Sequence, residues 1–436
     1  MPSPFSIRSY PRAILHVDGD AFFVSCEVAK NPALRGKAVI TGKERGIASA
    51  LSYEAKARGV VRGMRLSEIR KVCPDAIMLP SDYETYSLYS RRMYDIVRRY
   101  TPAVEEYSID ECFADLTGLR RSLRMSYEEI APRVKRELEG ELGMTFSVGL
   151  GPSKVLAKVA SKWQKPSGLA LIPASKAHLY LAKLAVGKVW GIGPQTTSFL
   201  QKHGIETALD FASQSEGWVA ANLPKPFREI WHELRGEAVY ELALGEKHDY
   251  QSISKTKTFT PPSDEREFVF SQLSKNIENA CIKARRHGLA AREIVLFLKR
   301  QDFRYAAREF KLSSPTSAPQ ELVSLAREYF DDLFKKGALY RATGVVLLKL
   351  ESNTCTQLDL FGSSLRASAV SRVYEVVDAL SERYGKHAVF LGSSFRAMTT
   401  PPHKGDRSVA LTRTEELFKG ETKRKRLAIP MLGEAS

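Results

Sequence analysis

Three carboxylates in this chain stand where they could do chemistry. Asp110 and Glu111 are neighbours in the stretch YSIDECFADL, residues 107–116, among Tyr107, Ile109, Phe113 and Leu116. Asp18 ends the alternating apolar run RAILHVD (12–18), where a strand would turn into a helix. Desolvating one carboxylate is costly, and two neighbours cost more unless a cation compensates them. If Asp18 meets the pair at one sheet edge, the cluster needs cations, and Mg²⁺ selects oxygen ligands of this kind. Two such ions about 3.5–4 Å apart activate a hydroxyl and stabilise a departing phosphate group. One obstacle stands: consecutive strand residues point to opposite faces, so Asp110 and Glu111 share a site only if the backbone bends. The competing reading is a surface strand whose polar face carries both acids.

An α/β layer must position these acids. Behind RAILHVD comes a helix-like AFFVSCEVAKN (21–31), and KAVIT (37–41), GIASAL (46–51) and AIMLP (76–80) read as strands. YETYSLYSRRMYDIVRRY (83–100) carries Tyr86, Leu88, Tyr89, Met93, Ile96 and Val97 as a helical apolar stripe. VEEYSIDECFADLT (104–117) is expected to pair with TFSVGLG (145–151) across a helix at 126–142. The expected fold class is α/β (α+β), with an antiparallel or mixed sheet and helices on one face. Residues 174–240 read as short helices around VWGIGPQTTSFLQKHGI (189–205), and GEKHDYQ (245–251) as a linker. From 252 the pattern runs β-α-β-β-α-β, a split βαβ sandwich. A helix-like 370–385 and a strand-like AVFLG (388–392) follow, and the last forty or so residues, with KRKR at 423–426, read as disordered.

At 436 residues the chain exceeds one compact core. Its 66 basic and 50 acidic residues leave +16, which calls for a polyanionic partner, nucleic acid or an anionic membrane surface. Residues 283–311 concentrate nine Lys/Arg against three Asp/Glu, a surface suited to phosphates. No apolar run approaches the roughly 20 residues that span a bilayer, and MPSPFSIRSYPRA has no signal-type apolar segment, so the expected location is the cytoplasm. The five cysteines are scattered without a C-x-x-C pair and read as reduced thiols, with no zinc site.

The motifs D18-G-D-A-F-F23, Y53-E-A-K56, S108-I-D-E111 and K165-P-S-G168 resemble, in order and approximate spacing, the Y-family translesion DNA polymerases of bacteria. The resemblance covers roughly residues 10 to 390. It implies a right-hand polymerase: palm and fingers at 1–173, helical thumb at 174–244, linker at 245–251, little finger at 252–351 and a tail at 352–436. Asp18, Asp110 and Glu111 would be its catalytic acids, holding two Mg²⁺ ions with the Gly19 carbonyl. Asp20 is left without a metal and is expected to cap the helix that starts at Ala21.

The same resemblance places Phe23 at the steric gate, five residues past Asp18, where its ring would exclude a ribose hydroxyl and select dNTP. Phe22 packs beside it in the nucleotide-binding region; core packing is the plain alternative for both rings. Tyr53, Lys56 and Lys165 would hold the triphosphate. Many relatives carry Arg where this chain has Lys56, which lacks the bidentate fork. Ser49, Gly63 and Met64 would roof the templating base. Gly191-Ile-Gly193 has the form of a hairpin turn whose N–H groups approach DNA phosphates. Arg300, Arg304 and Arg308 would lie along the duplex. Gln357, Leu358, Asp359, Leu360 and Phe361 resemble the peptide that bacterial proteins insert into the sliding clamp. The implied partners are primer-template DNA, dNTP, the clamp and accessory SOS proteins, with no membrane.

Three other readings compete. A catalytically inactive scaffold of the same fold should have lost the three acids. A nucleotide cyclase on a related palm needs neither a DNA grip nor a clamp peptide. Membrane binding would rest on the basic tail alone.

Overall fold

The computed structural model describes residues 10–245, 250–353, 363–385 and 387–400. They form two compact units that part between Gly245 and Glu246. In the first unit β1 (Ile14–Gly19) leads into α1 (Phe22–Lys30). A small sheet of β2 (Val39–Thr41), β3 (Ala50–Leu51) and β4 (Ile77–Leu79) follows, packed with α2 (Tyr53–Ala57) and α3 (Leu66–Val72). The chain returns through α4 (Tyr83–Arg98), β5 (Val104–Ser108), β6 (Glu111–Asp115), α5 (Arg120–Leu123) and α6 (Tyr127–Leu142). It ends the layer with β7 (Phe146–Gly151), α7 (Lys154–Lys162) and β8 (Leu169–Leu171).

The main sheet has the order β5-β6-β1-β7-β8. Segments 104–117 and 145–151 therefore do not pair as expected; β1 lies between them. Asp18 sits opposite Glu111 on one side and Ser147 on the other. The reason is visible in β1 itself, where Ile14, Leu15, His16 and Val17 are all buried, as suits a central strand covered on both faces.

Helices cover both faces, not one. Leu15, Val17, Cys112, Ala114, Val148 and Leu150 share a core with residues of α4 and α6. The opposite face, with His16 and Asp18, is covered by α7. Gly149 permits that approach: a Cβ there would lie 2.2 Å from the Ser161 amide nitrogen. Periodicity could not reveal this, because glycine carries no hydropathic signal.

The helices α8 (Ala177–Leu181), α9 (Pro194–Lys202), α10 (Ala208–Ala212), α11 (Glu216–Asn222) and α12 (Lys225–Leu234) share a core with α7. Glu233, fully buried on α12, accepts the N–H groups of Val155 at 3.1 Å, Val239 at 2.7 Å and Tyr240 at 2.9 Å. A buried carboxylate that satisfies three donors bolts this helical region to α7.

The second unit runs β9 (Ser252–Ser263), α13 (Arg266–Arg286), β10 (Leu289–Arg300), β11 (Tyr305–Thr316), α14 (Pro319–Glu328), α15 (Phe330–Leu333), β12 (Tyr340–Ser352). Its antiparallel sheet has the order β11-β10-β12-β9, the β-α-β-β-α-β topology expected from the pattern. The helix α16 (Ser363–Tyr384) and the short α17 (Phe395–Thr399) follow. Residues 388–392 are not a strand. Their hydrogen bonds go to a local turn and to α13 instead of a sheet edge: Ala388 N–H donates to the Gly385 carbonyl at 3.1 Å and Leu391 N–H to Glu278 at 3.2 Å, and farther on Ala397 N–H donates to Ser271 at 2.9 Å. The clamp-like peptide 357–361 and the tail from 401, with KRKR, lie outside the described residues. Among the described residues no helix is long and apolar enough to cross a membrane.

Candidate active site

The stretch around Asp110 is two strands and not one. β5 ends at Ser108, β6 begins at Glu111, and Ile109 and Asp110 make the turn between them. The alternation rule therefore does not bind the pair, and the geometric obstacle disappears. Asp110 sits at the tip, its carbonyl accepting the Gly19 N–H at 2.8 Å and its side chain hydrogen-bonded by the Ser108 hydroxyl. Glu111 lies directly across from Asp18. A two-residue hairpin was missed because Ile109-Asp110 lacks the glycine or asparagine that usually announces one.

Glu111 is held from two sides. His16 Nε2 lies 3.1 Å from its carboxylate and Lys158 Nζ lies 2.9 Å away. Burial raises the acid, but the hydrogen bond from His16, with Lys158, outweighs it and holds the carboxyl at about 2. Burial also pushes His16 below the usual imidazole range; its Nε2 faces Glu111, and its Nδ1 lies 2.7 Å from the Ser161 hydroxyl. Asp18 is paired with the Lys165 ammonium. Even so, burial keeps the Asp18 carboxyl above its ordinary range.

Asp20 does not cap a helix. The residue at the start of α1 is Ala21, in the left-handed region at φ 47°, with no side-chain cap. Asp20 is instead fully buried and accepts the Ser147 hydroxyl at 2.8 Å and the Ser167 N–H at 2.7 Å. It pins the K165-P-S-G168 loop, whose Gly168 N–H reaches Ser147 at 3.2 Å. Only the tertiary fold brings residues 20 and 167 together.

Tyr53 and Lys56 face the same spot. Lys56 Nζ stands 4.2 Å over the Tyr53 ring, and its pKa is lowered by burial and then by Lys165. The Tyr53 hydroxyl is pushed up by burial, then by Asp20 and Asp18. Phe22 is only 3% exposed and fills the space beneath Gly19, so its ring offers a nucleotide no surface. Phe23 is half-buried and stacks on Tyr86 at 4.6 Å. Ser49, Gly63 and Met64 come together: Ala48 N–H donates to the Met64 carbonyl, and Gly63 N–H to the Ala48 carbonyl, each at 2.9 Å.

Gly191 takes φ +92°, and Gly193 precedes α9. In the second unit Arg308 belongs to the helical side of its sheet: it pairs with Asp332 and lies 4.3 Å over Tyr329. Arg300 and Arg304 face each other at the β10–β11 hairpin, where the Arg300 N–H donates to the Arg304 carbonyl at 2.9 Å. Elsewhere, a cavity of about 480 Å³ lies between α1 and α2; none of Asp18, Asp110 and Glu111 lines it.

Comparison with known proteins decides the family. The impB/mucB/samB family matches residues 17–162, and its C-terminal domain matches 250–360. DNA polymerase IV of Desulfatibacillum aliphaticivorans is 31% identical over 386 residues, 86% of this chain and 95% of that protein. The chain belongs to the impB/mucB/samB family of bacterial Y-family DNA polymerases. DNA polymerase IV of Moorella thermoacetica is 33% identical over 394 residues, covering 86% of this polymerase and 94% of that one. Among solved structures, the Y-family polymerase chimera Dbh-Dpo4(243-245)-Dbh shares the fold at TM-score 0.65 and 24% identity, over 78% of this chain and all of the other. The polymerase thus has the palm, fingers, thumb and little-finger architecture.

Y-family polymerases depend on divalent metal, and the donor set fits one. Asp18, Asp110 and Glu111 are hard oxygen donors, and the raised pKa of Asp18 marks a buried charge that Lys165 does not fully compensate. In their present rotamers the acids are drawn to their own partners, and among the described residues no three His, Cys, Asp or Glu side chains close on one point. Sequence reasoning missed His16, Ser161 and Lys158, which anchor Glu111. A signal was available: Lys154, Lys158 and Lys162 recur every four residues along one face of α7.

Proposed function

We propose that this polymerase performs template-directed, error-prone translesion synthesis, adding dNTPs to a primer 3′-hydroxyl through two Mg²⁺ held by Asp18, Asp110, Glu111 and the Gly19 carbonyl. The observation that carries the reading is the juxtaposition of Asp18 and Glu111 across β1 and β6, with Asp110 hydrogen-bonded through its backbone to Gly19. When bound, the two ions lower the pKa of the 3′-hydroxyl and neutralise the leaving pyrophosphate. Tyr53, Lys56 and Lys165 orient the triphosphate by hydrogen bonding and charge, and Phe23 walls the sugar. Ser49, Gly63 and Met64 lie over the templating base. The turn Gly191–Gly193 holds backbone phosphates without reading sequence, and Arg300, Arg304 and Arg308 add charge to the little finger. The test is primer extension with dNTPs and Mg²⁺ on undamaged template; absence of extension would overturn the reading. Retention of all three acids counts against an inactive scaffold.

We assign residues 1–173 to palm and fingers, 174–244 to the thumb, 245–251 to the linker and 252–351 to the little finger. Asp20 serves as the anchor of the triphosphate loop. Asp20→Ala leaves the Ser147 hydroxyl and Ser167 N–H without their acceptor, so about 1–3 kcal/mol of stability is expected to be lost. The KM for dNTP should rise more than kcat falls, because the Lys165 loop is loosened. A steady-state comparison with denaturant midpoints checks both, and an unchanged KM refutes the anchoring role.

The peptide Gln357–Phe361 docks in the bacterial sliding clamp through Leu358, Leu360 and Phe361, an apolar triplet in a polar context. Replacing Leu360 and Phe361 by Ala is expected to remove clamp stimulation and keep clamp-free extension. Equal stimulation of the variant would retire this assignment. Accessory SOS proteins remain candidate partners by family resemblance alone.

A further inference from the structure

Lys158 occupies an unusual place. The residue is 5% exposed, and its ammonium contacts one carboxylate, Glu111 at 2.9 Å. Its other neighbours are aromatic: the Tyr107 ring at 4.5 Å, the Trp190 ring at 4.7 Å and the Phe113 ring at 5.9 Å. A buried ammonium needs partners on every side, and the negative faces of aromatic rings supply them where oxygen does not. These rings are themselves locked. Trp190 stacks near Phe113 at 5.8 Å, meets Tyr107 edge-on at 5.4 Å and touches Tyr240 at 5.9 Å.

Trp190 is also the residue before Gly191, whose φ of +92° begins the hairpin turn of the thumb. One side chain therefore joins that turn to the lysine that holds Glu111. We propose that Trp190 is a positioning residue of the active centre: by seating Lys158 it sets the Glu111 carboxylate, and so ties the thumb's DNA-gripping turn to metal binding. The inference rests on the reading of Glu111 as a metal ligand. Outer residues that orient a ligand contribute about 10–100-fold to metal affinity. Leu at 190 would keep an apolar, though smaller, side chain and remove the π face, freeing Lys158 to swing and Glu111 to follow.

The probe is Mn²⁺, its free concentration followed by electron paramagnetic resonance with the full chain bound to a dideoxy-terminated primer-template. Trp190→Leu is expected to weaken Mn²⁺ about tenfold, and Trp190→Phe to restore most of it. The double variant Trp190→Leu/Lys158→Met should bind no more weakly than Lys158→Met alone, because both act through one link. In extension assays the Mg²⁺ requirement should rise while the KM for dNTP stays. Additive losses in the double variant, a Phe variant as weak as Leu, or wild-type affinity in Trp190→Leu would each overturn the proposal. If Trp190→Leu does not fold, Trp190→Met carries the same test. Glu111→Gln separates the two readings. If it fails to weaken Mn²⁺, the metal assignment falls and the link with it; if it weakens Mn²⁺ while Trp190→Leu does not, only the link falls.

Discussion

Asp110→Ala is expected to abolish Mg²⁺-dependent primer extension while primer-template binding persists. Asp110 sits at the hairpin tip with its backbone bonded to Gly19, and its side chain contributes little to the core. The substitution removes a hard oxygen donor and a negative charge without emptying packed volume. Loss of a metal ligand forfeits several kcal/mol of transition-state stabilisation, on the order of 10³-fold or more in rate. DNA affinity should stay equal or tighten slightly, since one charge that repels phosphate is gone. Single-turnover extension beside a binding titration checks both arms. Extension within a few-fold of the parent chain would remove Asp110 from the metal site, and parallel loss of DNA binding would point to misfolding.

The second large effect concerns sugar choice. Phe23→Ala is expected to admit ribonucleotides, raising rNTP use relative to dNTP about 100-fold. Phe23 can act as a wall because it is backed: its ring stacks on Tyr86 at 4.6 Å and 13°, and Tyr83 meets it edge-on at 5.4 Å. Tyr86 is itself tethered, its hydroxyl donating to buried Glu27 at 2.8 Å. A ring so supported cannot swing away from a 2′-hydroxyl at small cost. The neighbouring Phe22, buried under Gly19, gives the contrasting control: its replacement should cost stability and leave sugar discrimination intact. The ratio of kcat/KM values for matched dNTP and rNTP reads the effect, and an unchanged ratio would strip Phe23 of the gate role.

The first expectation started from residue types and spacing and the second from the family resemblance, and much of the architecture was legible in the chain as well. The strand before Asp18, the long apolar stripe of 83–100 and the β-α-β-β-α-β order after 252 were legible because alternation and helical period are local properties of the chain. The family was legible for a related reason: four short motifs in fixed order carry more information together than any one does. What stayed hidden depended on residues distant in sequence. The placement of β1 between β6 and β7, the second helical face admitted by Gly149, and the turn at Ile109-Asp110 all follow from packing. So do the roles of Asp20, which seeks donors at 147 and 167, and of Lys158, which finds Glu111 and three rings. Local pattern determined most of the elements and which acids stand as candidates. The pairing of each buried charge was decided by tertiary structure, because a desolvated ion takes whatever partner the fold brings within reach.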